Sequence, residues 1–476
     1  MGNRINLFID LYELTMMQSY FFEGENRNAV FDFHIRFREN VPRRFYVFCG
    51  LEYLIEAIEN ISFSDEDIEY LKSLGLFKKE FLDYLRGFKF TGDIYSVDEG
   101  RIIFPNEPVV EVSAPLPEAQ LVETLVINLI QFPILSATKA ARCFCVSDGK
   151  ILVDFGARRA HSTQSAEIAA RSSYITGFSG TSLLSVGEKY SIPVFGTMAH
   201  SFVMIHDDEK EAFRRFAKLY KKTVLLIDTY DIEVGTKNAI EVIKELGKEG
   251  VKITALRIDS GDLIDEVKKM RKILDENNMH DVSIFISGGI NEYKIQEILK
   301  NTEGVGGFGV GTELTVSADQ PYLDCAYKLV EYDGKPKMKL SEGKHNLPGR
   351  KKVIRIYKNG KMFKDIVALQ DEDVDITEYD SGSSENLLKK VFSNGKISEE
   401  YKIIKDNKPK YIQSCREMFL RDFEKLPEKL KDLSPPTKDE VYNVEISPKI
   451  RKIIQDFEKK FHDQKQNSNI QKKSVQ

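Results

Sequence analysis

The chain has 476 residues, of which 42% are hydrophobic, and its 69 basic and 74 acidic side chains give a formal net charge of -5. This length supports roughly two or three domains with a sizeable core. The weakly acidic balance, without a strong basic cluster, predicts no nucleic-acid partner and no anionic membrane partner. The five cysteines show no paired metal-ligand spacing and are predicted to be reduced thiols.

The first part of the chain predicts an N-terminal α/β domain over residues 1–120. Residues 8–22 carry apolar side chains at helical spacing, and residues 30–37 alternate as a strand does. Residues 91–117 are rich in Gly, Pro and β-branched residues, which favours short strands in the same domain. The N-terminal residues lack the apolar core of a signal peptide, so a cytoplasmic location is expected.

An apolar stretch over residues 121–135 follows. It is interrupted by Glu123, Asn128 and Pro133, and it is too short to span a bilayer. It therefore predicts a buried helix.

Short apolar runs, each ending in a polar or glycine-rich cluster, repeat between residues 150 and 312. They begin at Ile151, Ile192, Val224, Ile253, Val282 and Val305. Such runs suit strands buried on both faces, and most gaps of roughly 20 to 35 residues have room for a crossover helix. The pattern predicts an α/β fold, with an irregular β/α barrel of parallel strands over residues 121–345 and an active site at their carboxyl ends.

The chain then returns to β structure. Asp333-Gly334, Asn359-Gly360 and Asn394-Gly395 are hairpin signals, each flanked by extendable sequence. Residues 346–462 are therefore expected to form hairpins and helices, including a helix over 447–461, that pack back on the N-terminal domain. The polar residues 463–476 are predicted to be a disordered tail.

Glycines beside hydroxyl groups end the last two runs. Ser287-Gly288-Gly289 and Gly309-Val-Gly311-Thr312 each precede a possible helix start, and such turns direct several backbone N–H groups at one anion. Barrels often hold phosphate at their late loops. Either motif alone is equally compatible with a tight turn, but two in succession favour a phosphorylated substrate.

Two carboxylates and a histidine follow other runs. Asp228 and Asp259 end neighbouring predicted strands, where each needs a partner such as ribose hydroxyls or a magnesium-bound pyrophosphate. His200 ends the run that begins at Ile192. A lone histidine is more often structural, but the end of a barrel strand favours a catalytic role.

Seven segments, taken together and in this order, resemble the nicotinate phosphoribosyltransferase family. The resemblance covers roughly residues 6–370 and weakens beyond them. This chain lacks the cysteine-rich terminal zinc module found in some relatives. The segments are Asp10–Thr15, Asp154–Arg159, Gly196–Ser201, Asp228–Asp231, Arg257–Asp262, Gly309–Thr312 and Leu347–Gly349.

The resemblance implies that nicotinate attacks C1 of phosphoribosyl pyrophosphate, giving nicotinate mononucleotide and pyrophosphate in NAD salvage. It implies ATP as a co-substrate and a homodimer with shared active sites. Magnesium is expected to be held mainly by pyrophosphate, without a direct protein ligand.

The resemblance also implies the role of each site residue. His200, which ATP would phosphorylate, and Asp259 are the implied catalytic residues. Nicotinate would contact Tyr12 from the partner subunit, Phe155, Ser182, Thr197 and Arg257. Phosphoribosyl pyrophosphate would contact Arg158, Asp228, Ser287, Gly288, Gly289, Gly311 and Thr312.

Other activities remain open at this stage. The nicotinamide enzymes of the family carry an aspartate where this chain has Ser182, and a neutral residue there avoids repelling nicotinate. A quinolinate enzyme would need more basic residues for two carboxylates. A sugar-phosphate aldolase or isomerase would need a strand-end Schiff-base lysine or an acid/base pair, and none of the six runs ends in lysine. A non-catalytic phosphate-binding scaffold is the last alternative.

Overall fold

The computed structural model of the protein describes residues 5–340, 346–377 and 383–473. Its α-helices are α1 (Leu11–Glu23), α2 (Leu51–Asn60), α3 (Asp65–Ser73), α4 (Lys79–Arg86), α5 (Leu116–Leu121), α6 (Glu123–Cys145), α7 (Thr163–Ile175), α8 (Leu184–Tyr190), α9 (His200–Met204), α10 (Glu209–Tyr220), α11 (Ile232–Gly247), α12 (Leu263–Glu276), α13 (Glu292–Asn301), α14 (Thr312–Thr315), α15 (Ile403–Asp406), α16 (Lys408–Lys425) and α17 (Pro448–Lys473). Its strands are β1 (Asn28–Ile35), β2 (Tyr46–Val47), β3 (Asp93–Ser96), β4 (Ile102–Ile103), β5 (Pro108–Pro115), β6 (Ile151–Asp154), β7 (Gly180–Thr181), β8 (Lys222–Leu226), β9 (Lys252–Ile258), β10 (Ser283–Ile286), β11 (Val305–Val310), β12 (Cys325–Tyr332), β13 (Lys335–Pro336), β14 (Lys351–Lys358), β15 (Lys361–Leu369), β16 (Ser383–Asn386), β17 (Lys389–Ser393), β18 (Lys396–Ile397) and β19 (Val444–Ile446).

The chain forms two compact units. The first comprises Met1–Ile134, Tyr322–Tyr411 and Arg421–Gln476, and the second comprises Leu135–Pro321 and Ile412–Leu420. The predicted domain limits stay predictions.

The first unit contains a sheet in the order β13-β12-β1-β5-β3-β17-β18 and another in the order β16-β14-β15-β19. The first sheet is antiparallel, and Phe31, Phe33 and Ile35 of β1 are buried on one face of their strand. The three predicted hairpins are confirmed as the pairs β12/β13, β14/β15 and β17/β18. In each, the Asn or Asp and the Gly of the turn both have positive φ, as a type I′ turn requires.

The second unit contains the parallel sheet that positions the site. Its strands lie in the order β7-β6-β11-β10-β9-β8, and every neighbouring pair is parallel. Helices follow the strands along the chain, and the apolar strand residues form one core with α10–α13. The predicted α/β class with an irregular β/α barrel is confirmed, as a half-barrel with β7 and β8 at its edges among the described residues. All six strands direct their carboxyl ends to the same edge.

The predicted strand that begins at Ile192 is wrong. Pro193 has no N–H to donate to a ladder, and Val194 forms an isolated bridge to Thr181, which belongs to the strand β7 that the sequence analysis missed. His200 therefore begins helix α9 instead of ending a strand.

The predicted buried helix is longer than expected. Helix α6 extends to Cys145 with Pro133 inside it, while residues 116–121 form the separate α5. By length and composition alone α6 is long and apolar enough to cross a membrane, but 72% of its apolar window is buried inside the protein, as in a core helix. Helix α17 is also longer than the predicted 447–461 and continues to Lys473.

Candidate active site

Two cavities adjoin at the carboxyl ends of the parallel strands. The larger, of about 380 Å³, and the smaller, of about 150 Å³, share Phe155, Arg158, Arg257 and Asp259 in their walls. The larger cavity is also lined by Ala157, Ser182, Phe195, Gly196, Thr197, Met198, Ala199, His200 and Leu226. The smaller is also lined by Arg159, Ser287, Gly288, Gly289, Gly309, Gly311 and Thr312. The structure therefore brings the predicted site residues of the second unit together in the cavity walls, except Asp228, which contacts the backbone of the lining residue Asp259.

Phe155 forms an aromatic wall of both cavities. It follows β6, and its N–H donates to the carbonyl of Val310 at 2.8 Å, which ties it to β11. The guanidinium carbon of Arg257 lies 5.4 Å from its ring centroid, within the range of a cation–π contact. A flat ligand ring could thus stack on Phe155 while an anionic substituent of that ring pairs with Arg257 on the same side of the cavity.

Arg257 lies in β9, and neighbouring side chains orient its guanidinium. Its Nε donates to the Ser287 hydroxyl at 2.9 Å and its Nη1 to the Thr197 hydroxyl at 3.2 Å. Its Nη2 lies 3.2 Å from Oδ2 of Asp259. Burial lowers the pKa of Arg257, and the charge of Asp259 opposes that shift. The group remains a cation at neutral pH and is poorly hydrated, which favours pairing with an anionic ligand.

His200 is held between two side chains at the start of α9. Its Nδ1 lies 3.1 Å from the Thr229 hydroxyl and its Nε2 lies 3.2 Å from Oδ1 of Asp259. The imidazole is 38% exposed, so a solute in the cavity can reach it.

Asp228 lies behind this pair and is 8% exposed. Its Oδ2 accepts hydrogen bonds from the N–H of Asp259 at 2.8 Å and from the Ser260 hydroxyl at 2.7 Å. Its Oδ1 is buried without a hydrogen-bond partner within the described ranges. Ligand atoms of His200, Asp228 and Asp259 lie within 4.8 Å of one another, close enough to hold a cation.

The loop after β10 requires its glycines. Gly288 and Gly289 have φ values of 86° and 62°, and a Cβ on Gly288 would lie 2.0 Å from the carbonyl oxygen of Asp259. Asn291 caps the following helix α13 by accepting a hydrogen bond from the N–H of Lys294 at 2.9 Å. The loop thus lines the smaller cavity with backbone just before a helix N-terminus.

Tyr12, the remaining predicted site residue, belongs to the first unit. It lies in α1 and is 44% exposed. Burial of part of the ring, with the neighbouring Glu123 and Glu13, raises the pKa of its phenol. Its predicted contact with nicotinate across a dimer stays a prediction.

Several lining residues were missed by sequence reasoning, among them one arginine and one aromatic residue. Arg159 lines the smaller cavity, yet of the consecutive Arg158 and Arg159 only the first was predicted. Phe195 lines the larger cavity, where a Cβ on Gly180 would lie 2.7 Å from its ring. The only sequence signals for these two residues are that Arg159 follows another arginine and that Phe195 directly precedes Gly196. Neither signal reveals the direction of the side chain.

Comparison with known proteins decides the family. Residues 7–131 match the nicotinate phosphoribosyltransferase (NAPRTase) N-terminal domain, and residues 151–396 match the nicotinate phosphoribosyltransferase (NAPRTase) family. The chain belongs to the nicotinate phosphoribosyltransferase family.

Relatives cover most of its length. It is 43% identical over 428 residues to nicotinate phosphoribosyltransferase pncB2 of Mycobacterium tuberculosis, covering 90% of this chain and 89% of that one. It is 40% identical over 380 residues to the nicotinate phosphoribosyltransferase of Bacillus subtilis, covering 78% and 77%. The crystal structure of human nicotinic acid phosphoribosyltransferase has the same fold, with a TM-score of 0.79, 24% identity and coverage of 94% of this chain and 99% of that chain.

Proposed function

We propose that this protein is an enzyme of NAD salvage that transfers phosphoribosyl from phosphoribosyl pyrophosphate to nicotinate, with ATP as co-substrate. One observation carries the proposal. An aromatic wall with an adjacent, partly buried arginine opens directly into a cavity lined by glycine-rich loops, as a substrate pair of one flat aromatic acid and one sugar phosphate requires. Family membership supports the same reaction.

Nicotinate binds in the larger cavity. Its pyridine ring stacks on Phe155, and its carboxylate pairs with the guanidinium of Arg257, which Thr197 helps to orient. Ser182 is a neutral lining residue that does not repel the carboxylate. The site therefore favours the acid over nicotinamide.

Phosphoribosyl pyrophosphate extends into the smaller cavity. Its 5′-phosphate is bound by Ser287, Gly288, Gly289, Gly311 and Thr312, where loop N–H groups and hydroxyls serve as donors. Arg158, on the shared wall, supplies positive charge to the phosphates.

Asp228 and Asp259 face the ribose and the pyrophosphate. Magnesium, when bound, would be held mainly by pyrophosphate and would neutralise charge on the leaving group. The unpartnered, buried Oδ1 of Asp228 and the neighbouring carboxylate of Asp259 fit such a hard cation, because carboxylate oxygens are its preferred ligands.

The chemical step is a displacement at C1 of the ribose. The pyridine nitrogen forms a bond to C1 as the bond from C1 to the pyrophosphate oxygen breaks, and the bonding electrons leave with pyrophosphate. The carboxylates of Asp228 and Asp259 stabilise positive charge that develops at C1. Stacking on Phe155 and phosphate binding by the loops hold the two reactants in line, which supplies much of the rate.

His200 accepts the γ-phosphoryl group of ATP: a nitrogen–phosphorus bond forms as the bond from the γ-phosphorus to the β,γ-bridging oxygen breaks, and the bonding electrons leave with ADP. Asp259 near Nε2 favours the tautomer with its proton on Nε2, in which the lone pair of Nδ1 accepts from the Thr229 hydroxyl. Rotation of that hydroxyl frees the lone pair to act as the nucleophile. The phosphohistidine adds a charge of about -1.5 to -2 and strong acceptor oxygens next to the pyrophosphate site. Its hydrolysis after the transfer step releases product and drives turnover forward.

The active form is a homodimer in which Tyr12 of one copy covers the pyridine site of the other. Its exposed ring in α1 supports this role. We place the enzyme in the cytoplasm.

The test is a direct assay. The protein is incubated with phosphoribosyl pyrophosphate, magnesium and either nicotinate or nicotinamide, with and without ATP, and the mononucleotide and pyrophosphate are quantified. Nicotinate mononucleotide in stoichiometric amounts with pyrophosphate, and stimulated by ATP, is expected. Product from nicotinamide alone would assign the nicotinamide reaction, and no product from either base would exclude the proposed activity.

A further inference from the structure

A carboxylate beneath the larger cavity connects the two loops that carry Phe155 and Ser182. Asp154, the last residue of β6, is 1% exposed. Its Oδ1 accepts a hydrogen bond from the N–H of Gly156 at 2.8 Å, and its Oδ2 accepts one from the hydroxyl of Thr181 at 2.7 Å. The carboxylate thus lies between the turn that follows β6 and the loop that follows β7.

Thr181 extends the connection. Its hydroxyl oxygen also accepts a hydrogen bond from the N–H of Leu183 at 3.0 Å, so it holds the backbone on the far side of Ser182. The N–H of Ser182 itself donates to the carbonyl of Asp154 at 2.9 Å. Ser182 is therefore fixed from both sides by groups that lead back to Asp154.

The hydrogen bonds of the Asp154 carboxylate are better explained by the geometry they impose on the two loops than by a gain in stability. Both donors to the Asp154 carboxylate are neutral, and burial raises its pKa, while the bonds from Thr181 and Gly156 oppose that shift. A buried anion with neutral donors adds little net stability, because the loss of hydration offsets the hydrogen bonds. The strand it anchors, β7, has two residues. Backbone hydrogen bonds join it to β6 on one side and, through Thr181, to Pro193 and Phe195 on the other, and the Thr181 hydroxyl adds the side-chain bond to Asp154.

We propose that Asp154, acting through the Thr181 hydroxyl, is a positioning residue that sets the place of Ser182 relative to the ring of Phe155, and so the fit of the nicotinate carboxylate. The inference rests on the proposed nicotinate site. In this inference, the bond between Asp154 and Thr181 affects the binding of nicotinate and does not affect the glycine loops of the smaller cavity.

The test compares Thr181→Val with Thr181→Ser. Valine has nearly the shape of threonine but lacks the hydroxyl, whereas serine keeps it. Thr181→Val should raise KM for nicotinate on the order of tenfold, since a hydrogen bond to a charged group is lost, and should change KM for phosphoribosyl pyrophosphate by less than about twofold. Thr181→Ser should stay within about twofold of the wild type for both substrates.

A second variant covers the case in which Thr181→Val does not fold. Asp154→Asn keeps an acceptor for the Gly156 N–H but places an amide near Thr181, so it should show the same selective rise in KM for nicotinate. Val242→Ala, a core change in α11 away from both cavities, serves as the stability control. It should lower the melting temperature and leave both KM values near those of the wild type.

The outcomes separate this inference from the proposed site. A rise in both KM values by the same factor, or no rise in Thr181→Val while Phe155→Ala raises KM for nicotinate, overturns the positioning role and leaves the proposed function standing. An unchanged KM for nicotinate in both Thr181→Val and Phe155→Ala overturns the nicotinate site itself.

Discussion

A Cβ atom on Gly309 would lie 2.4 Å from the ring of Phe155. Gly309 pairs with Val153 in the sheet, so the ring of the proposed stacking residue lies over a position of β11 that has no side chain. The absence of one methyl group therefore determines where the aromatic wall of the cavity stands.

Gly309→Ala should displace that ring and weaken nicotinate binding. We expect KM for nicotinate to rise on the order of tenfold, because overpacking against a ring costs about 1–3 kcal/mol or moves it off its position. Gly247→Ala is the control, since a Cβ there meets nothing within 4 Å. Steady-state kinetics of both variants checks the prediction, and equal KM values would show that Phe155 does not stack on the substrate.

Ser182→Asp should raise KM for nicotinate, because two carboxylates would face each other in a partly desolvated cavity. Use of nicotinamide is expected to improve, although one residue seldom completes such a switch. Asparagine is close to aspartate in size but neutral, so Ser182→Asn should raise KM for nicotinate less than Ser182→Asp does. An unchanged KM for nicotinate in a folded Ser182→Asp protein would mean that this residue does not face the acid.

Lys139→Met tests the buried ion cluster of the second unit. The ammonium group, 1% exposed, lies 2.7 Å from Glu292 and 3.1 Å from Asp319. Removal of the ammonium group leaves Arg142 as the remaining cation beside Glu292 and Asp319. The free energy of unfolding should fall by about 1.5–3 kcal/mol, the cost of a lost hydrogen bond to a charged group. Lys210→Met, which breaks a more exposed ion pair with Glu241, should cost less than about 1 kcal/mol. Denaturant unfolding measures both, and equal effects would contradict the argument.

The sequence predicts those parts of the fold that local chemistry decides. Asn359-Gly360 and its two counterparts specify hairpins because both turn positions need positive φ. The strands that carry Asp228, Asp259 and Ser287 are recognisable because apolar runs buried on both faces end in polar residues.

The features that the sequence does not predict depend on contacts between positions far apart in the chain. The run at Ile192 is as apolar as the true strands, but Pro193 lacks a donor, and the two-residue strand β7 is too short to give a pattern. The bond between Asp154 and Thr181 joins residues 27 positions apart, and no local signal announces it. The same holds for Arg159, whose direction depends on the 3-10 turn over Ala157–Arg159.

The shared site predicts complementation between two inactive variants. Tyr12→Ala removes the proposed cover of the neighbouring subunit's site, and Asp259→Ala disables the chemistry of its own. Hybrid dimers carry one intact site, so mixed protein should recover part of the activity, up to about a quarter of the wild-type rate after random exchange if one site in each hybrid works independently. Absence of recovery after exchange has been demonstrated with differently tagged subunits would contradict a shared site.

His200→Asn should separate ATP coupling from phosphoribosyl transfer. If His200 is the phosphoryl acceptor, γ-labelled ATP leaves acid-labile, base-stable label on the wild-type protein. In the proposed tautomer Nε2–H donates to Asp259, so phosphorus NMR should place the label on Nδ1. The variant should lose both the label and the stimulation by ATP. It should still form nicotinate mononucleotide slowly without ATP, since the stacking residue and the glycine loops still position the reactants.

His206→Asn is the matched control, because its Nδ1 is paired with the Phe202 carbonyl at 2.8 Å and it does not line the larger cavity. Full ATP stimulation in His200→Asn would assign the coupling to another residue, with His161 the next to examine, and would leave His200 as an orienting group for the substrate.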